Sequence, residues 1–200
     1  MTEPVRAVLF DLDGVLVDTY EAWYTLVQAT ARHFGAPDVS RSAFEATWGQ
    51  SVEDDTRDLV PGPTVREVAD HYGSHFHEHA GQVGVDREAH AVLTGLRTRG
   101  IRTACVTNSP TPVAREILHA AKLEPLLDTI VGAGDVPHPK PAPDLLEAAL
   151  RRLAVPPAAA VMVGDSRFDE QAAAAAGVRY VHFDTRARGS LARALERELD

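Results

Sequence analysis

The sequence predicts an α/β fold: a parallel sheet covered by helices on both faces, with an all-helical cap inserted after the first strand. Three observations predict it. Over the second half of the chain, short apolar runs alternate with amphipathic helical stretches, the pattern of strands joined by helical crossovers. Each run ends in small and polar residues, where open parallel sheets place their ligands. Residues 16–88 carry helical periodicity with no convincing strand.

The first strand, residues 5–10, is a continuous apolar run of the kind buried on both faces, and it leads into Asp11-Leu12-Asp13-Gly14. Helices are expected over 19–34, 41–48, 51–59 and 64–79, punctuated by Gly35-Ala36-Pro37 and Pro61-Gly62-Pro63. Residues 86–99 carry Ala89, Val92, Leu93 and Leu96 at helical spacing and stop at Gly100. A strand at 102–106 leads into Thr107-Asn108-Ser109-Pro110, and a helix at 111–121 follows. The strand at 129–131 runs into Gly132-Ala133-Gly134-Asp135 and precedes a helix at 143–153. The strand at 159–163 reaches Gly164-Asp165-Ser166, and the alanine-rich stretch 167–176 is a strong helix former. Residues 178–183 supply a fifth strand. The expected division is a core of residues 1–15 plus 89–200 and a helical cap of 16–88.

Composition narrows the function. A chain of 200 residues is one large domain or a core with a modest insertion. Its 20 basic and 29 acidic residues give a net charge of −9, which disfavours a nucleic-acid partner. Lys122 and Lys140 are its two lysines, so amine chemistry has two candidates. The single cysteine, Cys105, excludes an intramolecular disulfide and a cysteine zinc site; within its apolar run it reads as an inert core residue. No signal-peptide pattern and no membrane-spanning stretch is evident, so the expectation is a cytoplasmic protein with no membrane partner.

The chemistry gathers at the strand ends: Asp11 and Asp13, Thr107 to Ser109, Asp135 and Asp165. Asp11 and Asp13 lie two residues apart, on one side of extended backbone. Asp165 and Asp169 share a face if a helix starts near Ser166. Carboxylates this close repel unless a cation intervenes. One Mg²⁺ and Lys140 nearly balance the four of them, and Mg²⁺ favours carboxylate and phosphate oxygens. The constellation suits a magnesium-dependent phosphoryl site.

Four segments together resemble the haloacid dehalogenase-like hydrolase superfamily. They are Asp11-Leu12-Asp13-Gly14-Val15-Leu16-Val17-Asp18-Thr19, Thr107-Asn108, Lys140 within a proline-stiffened loop, and Gly164-Asp165-Ser166-Arg167-Phe168-Asp169. The helical insert resembles the cap of the subgroup with phosphoglycolate phosphatases and β-phosphoglucomutases. Residues 106–112 and 163–169 look most like the phosphoglycolate phosphatase branch.

The resemblance implies a Rossmann-like core and a set of roles. Asp11 is the nucleophile that forms an aspartyl-phosphate, and Asp13 the general acid and then base. Mg²⁺ is bound by the Asp11 carboxylate, the Asp13 carbonyl and Asp165. Thr107 and the Asn108 amide bind phosphate, and Lys140 neutralises the phosphoryl oxygens and the nucleophile. Asp169 orients Lys140 or a metal-bound water, and Gly14 permits the tight turn.

The resemblance also excludes some activities. Haloacid dehalogenases proper lack the second aspartate, which is present here as Asp13. Phosphonoacetaldehyde hydrolases need a cap lysine, and residues 16–88 contain none. That absence weakens a β-phosphoglucomutase-like mutase, the second reading, and a non-catalytic relative should have lost a motif residue. The expected substrate is a small phosphate monoester, with phosphoglycolate the best single choice, and the expected state is monomer or homodimer.

Trp48-Gly49-Gln50-Ser51-Val52-Glu53 resembles a substrate-facing cap loop, which makes Gln50 a candidate contact. Arg57, Arg41 and Arg32 are candidates to meet a substrate carboxylate or sugar. His71, His75, His77 and His79 read as an exposed helical face, and Trp23, Tyr24 and Trp48 as cap core.

Overall fold

The computed structural model describes residues 3–187 and 189–199. Five parallel strands form the central sheet: β1 (Ala7–Phe10), β4 (Arg102–Pro110), β5 (Thr129–Ala133), β6 (Ala160–Gly164) and β7 (Arg179–His182), in the order β5-β4-β1-β6-β7. All five expected runs are strands, and β1 lies at the centre. Its side chains alternate between two cores. Val8 and Phe10 join Cys105, Ile130 and Val163 on one face; Ala7 and Leu9 join Ala104, Val131 and Met162 on the other. Burial on both faces is why β1 and β6 are apolar throughout, whereas β7, at the edge of the sheet, carries Arg179 and His182.

Helices α5 (Ala89–Thr98), α6 (Thr111–Ala120), α7 (Asp144–Leu153) and α8 (Arg167–Ala176) match the expected stretches to within a few residues. The last helix, α9 (Leu191–Leu199), was not anticipated; it buries Leu191 and Leu195, one turn apart. Helix α8 opens with a capping box, in which Ser166 and Asp169 satisfy each other's backbone amides, and it ends on Gly177 in the left-handed conformation.

Helices α1 (Tyr20–His33), α2 (Arg41–Ala46), α3 (Val52–Asp58) and α4 (Val65–His79) form the inserted block. The structure corrects one detail there. Two very short strands, β2 (Val17–Asp18) and β3 (Gly84–Val85), pair antiparallel where the chain leaves and re-enters the core. Two residues are too few for an alternating pattern to show in sequence. The block is not a separate oil drop: Leu26, Val68, Tyr72 and Phe76 belong to the same apolar cluster as Val8 and Phe10. It therefore sits over the carboxyl end of β1. Among the described residues no helix is long and apolar enough to cross a membrane.

Candidate active site

The sheet brings three of its strand ends together. Asp11 follows β1, Thr107 and Asn108 lie in the last residues of β4, and Asp165 follows β6. Lys140 arrives from the loop before α7, where only 1% of it remains exposed. Its Nζ lies 2.9 Å from Asp11 Oδ1 and 2.6 Å from Asp169 Oδ1, and it donates to the Val106 carbonyl at 3.2 Å. Burial disfavours the ammonium, but the Asp11 and Asp169 carboxylates outweigh it, and the net shift holds Lys140 charged. The Asn108 side chain fixes the loop carrying it, accepting from the Lys140 amide at 2.8 Å and donating to the Lys140 carbonyl at 2.9 Å.

Asp169 has two tasks. One oxygen holds Lys140, and the other caps α8 by accepting from the Ser166 amide at 3.1 Å and the Ser166 hydroxyl at 2.5 Å. Gly164 must be glycine for this, because a Cβ there would stand 2.3 Å from the Cβ of Asp169. Gly14, at φ +82°, makes room in the same way, since a Cβ there would reach 2.0 Å from Asp165 Oδ2.

Oxygen ligands from Asp11, Asp165 and Asp169 all lie within 4.8 Å of one another. Burial pushes the Asp11 carboxyl well above the usual range, and the neighbouring Asp169 adds to this despite Lys140. Burial likewise pushes Asp165 up to about 7, against the pull of the Trp48 hydrogen bond. Asp165 Oδ1 is buried without a hydrogen-bond partner among the described residues. An orphaned carboxylate oxygen within an all-oxygen, over-negative cluster fits a hard divalent cation such as Mg²⁺.

Asp13 points differently. Its Oδ1 accepts from the Thr19 hydroxyl at 2.6 Å and the Trp23 indole at 2.8 Å; its Oδ2 accepts from Ser109 at 2.6 Å and Thr107 at 3.3 Å. Sequence reasoning missed Ser109, Thr19 and Trp23 as its partners. Their sequence separations from Asp13 reach 96 residues, and no local spacing encodes such contacts. Trp23 lies in the apolar core cluster and Trp48 packs against it, as expected of both, and each indole also has a polar task. Trp23 holds Asp13, while Trp48 Nε1 donates to Asp165 Oδ2 at 2.6 Å, so both indoles bridge the helical block to the core. Tyr24 stays within the block, its ring tilted against that of Phe44 at 5.5 Å.

A cavity of about 60 Å³ lies between block and core. Asp11, Asp13, Thr107 and Asn108 line its core side, and Trp48, Gln50, Asp55 and Tyr72 line its helical side. Gln50 is therefore among the cavity-lining residues. Arg57 is not: it is exposed and held by Asp54 at 2.7 Å and Asp58 at 2.7 Å on the outer face of α3. Arg41 pairs with Glu21 and Arg32 with Asp38, also on the outside. Asp135 stands apart from the carboxylate cluster, tied to Thr111 and Arg152. His71 and His75 stack at 4.0 Å, and among the described residues the aspartates above are the one group of three or more such side chains with metal-compatible spacing.

Buried paired aspartates, a buried lysine and a small cavity at the carboxyl end of a parallel sheet are the geometry that the sequence resemblance requires. Comparison with known proteins decides the matter: the family model for "Haloacid dehalogenase-like hydrolase" matches residues 8–183. The chain belongs to the haloacid dehalogenase-like hydrolases. It is 32% identical over 182 residues to a phosphoglycolate phosphatase of Cupriavidus necator, covering 88% of this chain and 79% of the relative. It is 29% identical over 178 residues to the pyrophosphatase PpaX of Bacillus mycoides, covering 88% and 82%. Among solved structures, CbbY from Rhodobacter sphaeroides in complex with xylulose-1,5-bisphosphate superposes with a TM-score of 0.79 at 25% identity, covering 89% of this chain and 85% of that one. As a haloacid dehalogenase-like hydrolase whose similar relatives are named as phosphatases, the chain is a phosphatase-type enzyme.

Proposed function

We propose that this hydrolase removes phosphate from a small phosphate monoester through an aspartyl-phosphate on Asp11, with Mg²⁺ as cofactor. The observation that carries the reading is the buried pairing of Asp11 with Lys140 beside an over-negative carboxylate cluster that borders the cavity. In the same reading, residues 1–15 and 89–200 are the catalytic core and 16–88 the cap. Asp11, Asp165 and the Asp13 carbonyl would hold Mg²⁺, which offsets charge as an anionic nucleophile meets an anionic phosphoryl group.

The chain's own residues do the rest. An Asp11 oxygen attacks phosphorus and the ester P–O bond breaks. As general acid, Asp13 passes a proton to the departing alkoxide. Asp13 then takes a proton from water, whose oxygen attacks phosphorus and releases inorganic phosphate and the Asp11 carboxylate. Lys140 balances the phosphoryl oxygens from a position fixed by Asn108 and Asp169. Thr107 binds phosphate through its hydroxyl. The Asn108 side chain is engaged by the Lys140 loop and by the Gly49 carbonyl, so its phosphate contact falls to its main-chain N–H.

The absence of any lysine from residues 16–88 supports the phosphatase over the mutase reading. Phosphoglycolate, for which several relatives are named, is the reference ester. The test is phosphate release from small esters by purified protein. Release should need added Mg²⁺, stop with a chelator, and vanish in Asp11→Asn with the fold intact. Turnover by Asp11→Asn, or turnover insensitive to chelation, contradicts the proposal.

A further inference from the structure

The helical side of the cavity carries one carboxylate among the described residues, Asp55, and nothing in the phosphoryl chemistry uses it. The Gln50 amide donates to its Oδ1 at 2.8 Å, and the Tyr72 hydroxyl to its Oδ2 at 3.1 Å. Two donors aimed at the two oxygens stabilise the carboxylate form. Tyr72 is fully buried, and its ring packs 5.4 Å from that of Trp23, whose indole holds Asp13. Asp55 and Asp13 are thus linked through one aromatic pair, with the cavity bordered by both carboxylates.

Charge is one-sided here. Among the described residues no arginine, lysine or histidine lines this cavity. Lys140 is held by Asp11 and Asp169, on the phosphoryl side, and lines no part of the cavity. Arg186 lies 5.5 Å from the Trp48 ring but is tied to Asp184 and lines no part of the cavity. A leaving group with its own carboxylate or second phosphate would meet Asp55 with no cation to offset the repulsion. A group bearing an ammonium would find a carboxylate held ready and aromatic side chains, Trp23, Phe44, Trp48 and Tyr72, around the same space. Burial also pushes Asp55 up to about 7, so an entering cation would compensate a carboxylate that is costly to keep ionised alone.

We propose that the ester hydrolysed at this site is a small amino-alcohol phosphate, whose ammonium sits against Asp55 and whose leaving group carries no second anion. This rests on the phosphatase reading above and narrows its substrate class away from phosphoglycolate.

The test compares three two-carbon esters on the Mg²⁺-loaded enzyme: 2-aminoethyl phosphate, 2-hydroxyethyl phosphate and phosphoglycolate. The expected order of kcat/KM is aminoethyl first, hydroxyethyl second and phosphoglycolate last, with at least tenfold between first and last. Asp55→Asn should shrink the aminoethyl-to-phosphoglycolate ratio at least tenfold, mainly through KM for the aminoethyl ester. A ratio needs no correction for the amount of folded protein, and the wild-type order stands if the variant fails to fold. Preference for phosphoglycolate or the hydroxyethyl ester, or an Asp55→Asn ratio equal to wild type, overturns the proposal while leaving the phosphatase reading in place. Hydrolysis of none of the three overturns both.

Discussion

Lys140→Met removes the ammonium at the centre of the site while keeping most of the side-chain volume. The structure sets the scale. Lys140 is 1% exposed, and its Nζ lies within 3 Å of two carboxylates that are themselves almost wholly buried. Deleting one partner of a buried pair costs about 3–5 kcal/mol, because the remaining charge is left uncompensated. For a domain of this size each kcal/mol lowers Tm by roughly 2–4 °C, so a fall of about 6–20 °C is expected in metal-free protein. Asp169→Asn in the Lys140→Met background removes one stranded charge and should recover part of the loss. Mg²⁺ should raise Tm more in Lys140→Met than in the wild type, since the cluster is then more negative. Thermal unfolding followed by circular dichroism, with chelator and with Mg²⁺, measures all of this. A Tm within about 2 °C of wild type in chelator would refute the reasoning that Lys140 is the counter-ion of a buried carboxylate cluster.

Gly14→Ala should cost at least tenfold in Mg²⁺ affinity and activity, since its Cβ would collide with Asp165 Oδ2 at 2.0 Å in a left-handed backbone; a metal titration at wild-type level contradicts this. Metal-free protein should lose stability as pH rises from about 4 towards 7. The folded-state carboxyls of Asp165 and Asp55 are raised to about 7, so the folded state binds protons that the unfolded state has released. Their contribution is therefore present on the acid side and is lost as pH climbs through that window. Asp165→Asn should flatten the slope of Tm against pH, and an unchanged slope would contradict the assignment. Trp48→Phe removes the indole donor from Asp165 and should weaken docking of the helical block on the core; activity and Mg²⁺ affinity both equal to wild type would show that the 2.6 Å bond has no such role.

What the sequence makes legible follows from range. The strand runs are readable because both-face burial demands uninterrupted apolar residues, and Asp11, Asp165 and Lys140 because each stands at a strand end or in a proline-rich loop. Asp169 is readable from its four-residue spacing to Asp165 if a helix starts near Ser166. The partners of these groups are not. Trp48 reaches Asp165 across 117 positions because the helical block lies over the core, and Ser109 reaches Asp13 across 96 because β4 pairs with β1. Arg57 shows the converse failure. An arginine near a substrate-facing loop suggests an anion contact, but Asp54 and Asp58, three and one residues away, hold it on the outer face. Asp55 sits between those same aspartates in sequence and turns inward, a difference of helix face that a run of acidic residues conceals.

The proposed mechanism requires that Asp11 become covalently phosphorylated during turnover. Acid-quenching the Mg²⁺-loaded enzyme with a turning-over ester, followed by peptide mass mapping, detects this. One phosphoryl group is expected on the peptide containing Asp11, formed within the turnover time, decaying as substrate is exhausted, and absent from Asp11→Asn. A phosphoryl group on another residue, or steady release of phosphate with no phosphoenzyme at any quench time, would contradict it.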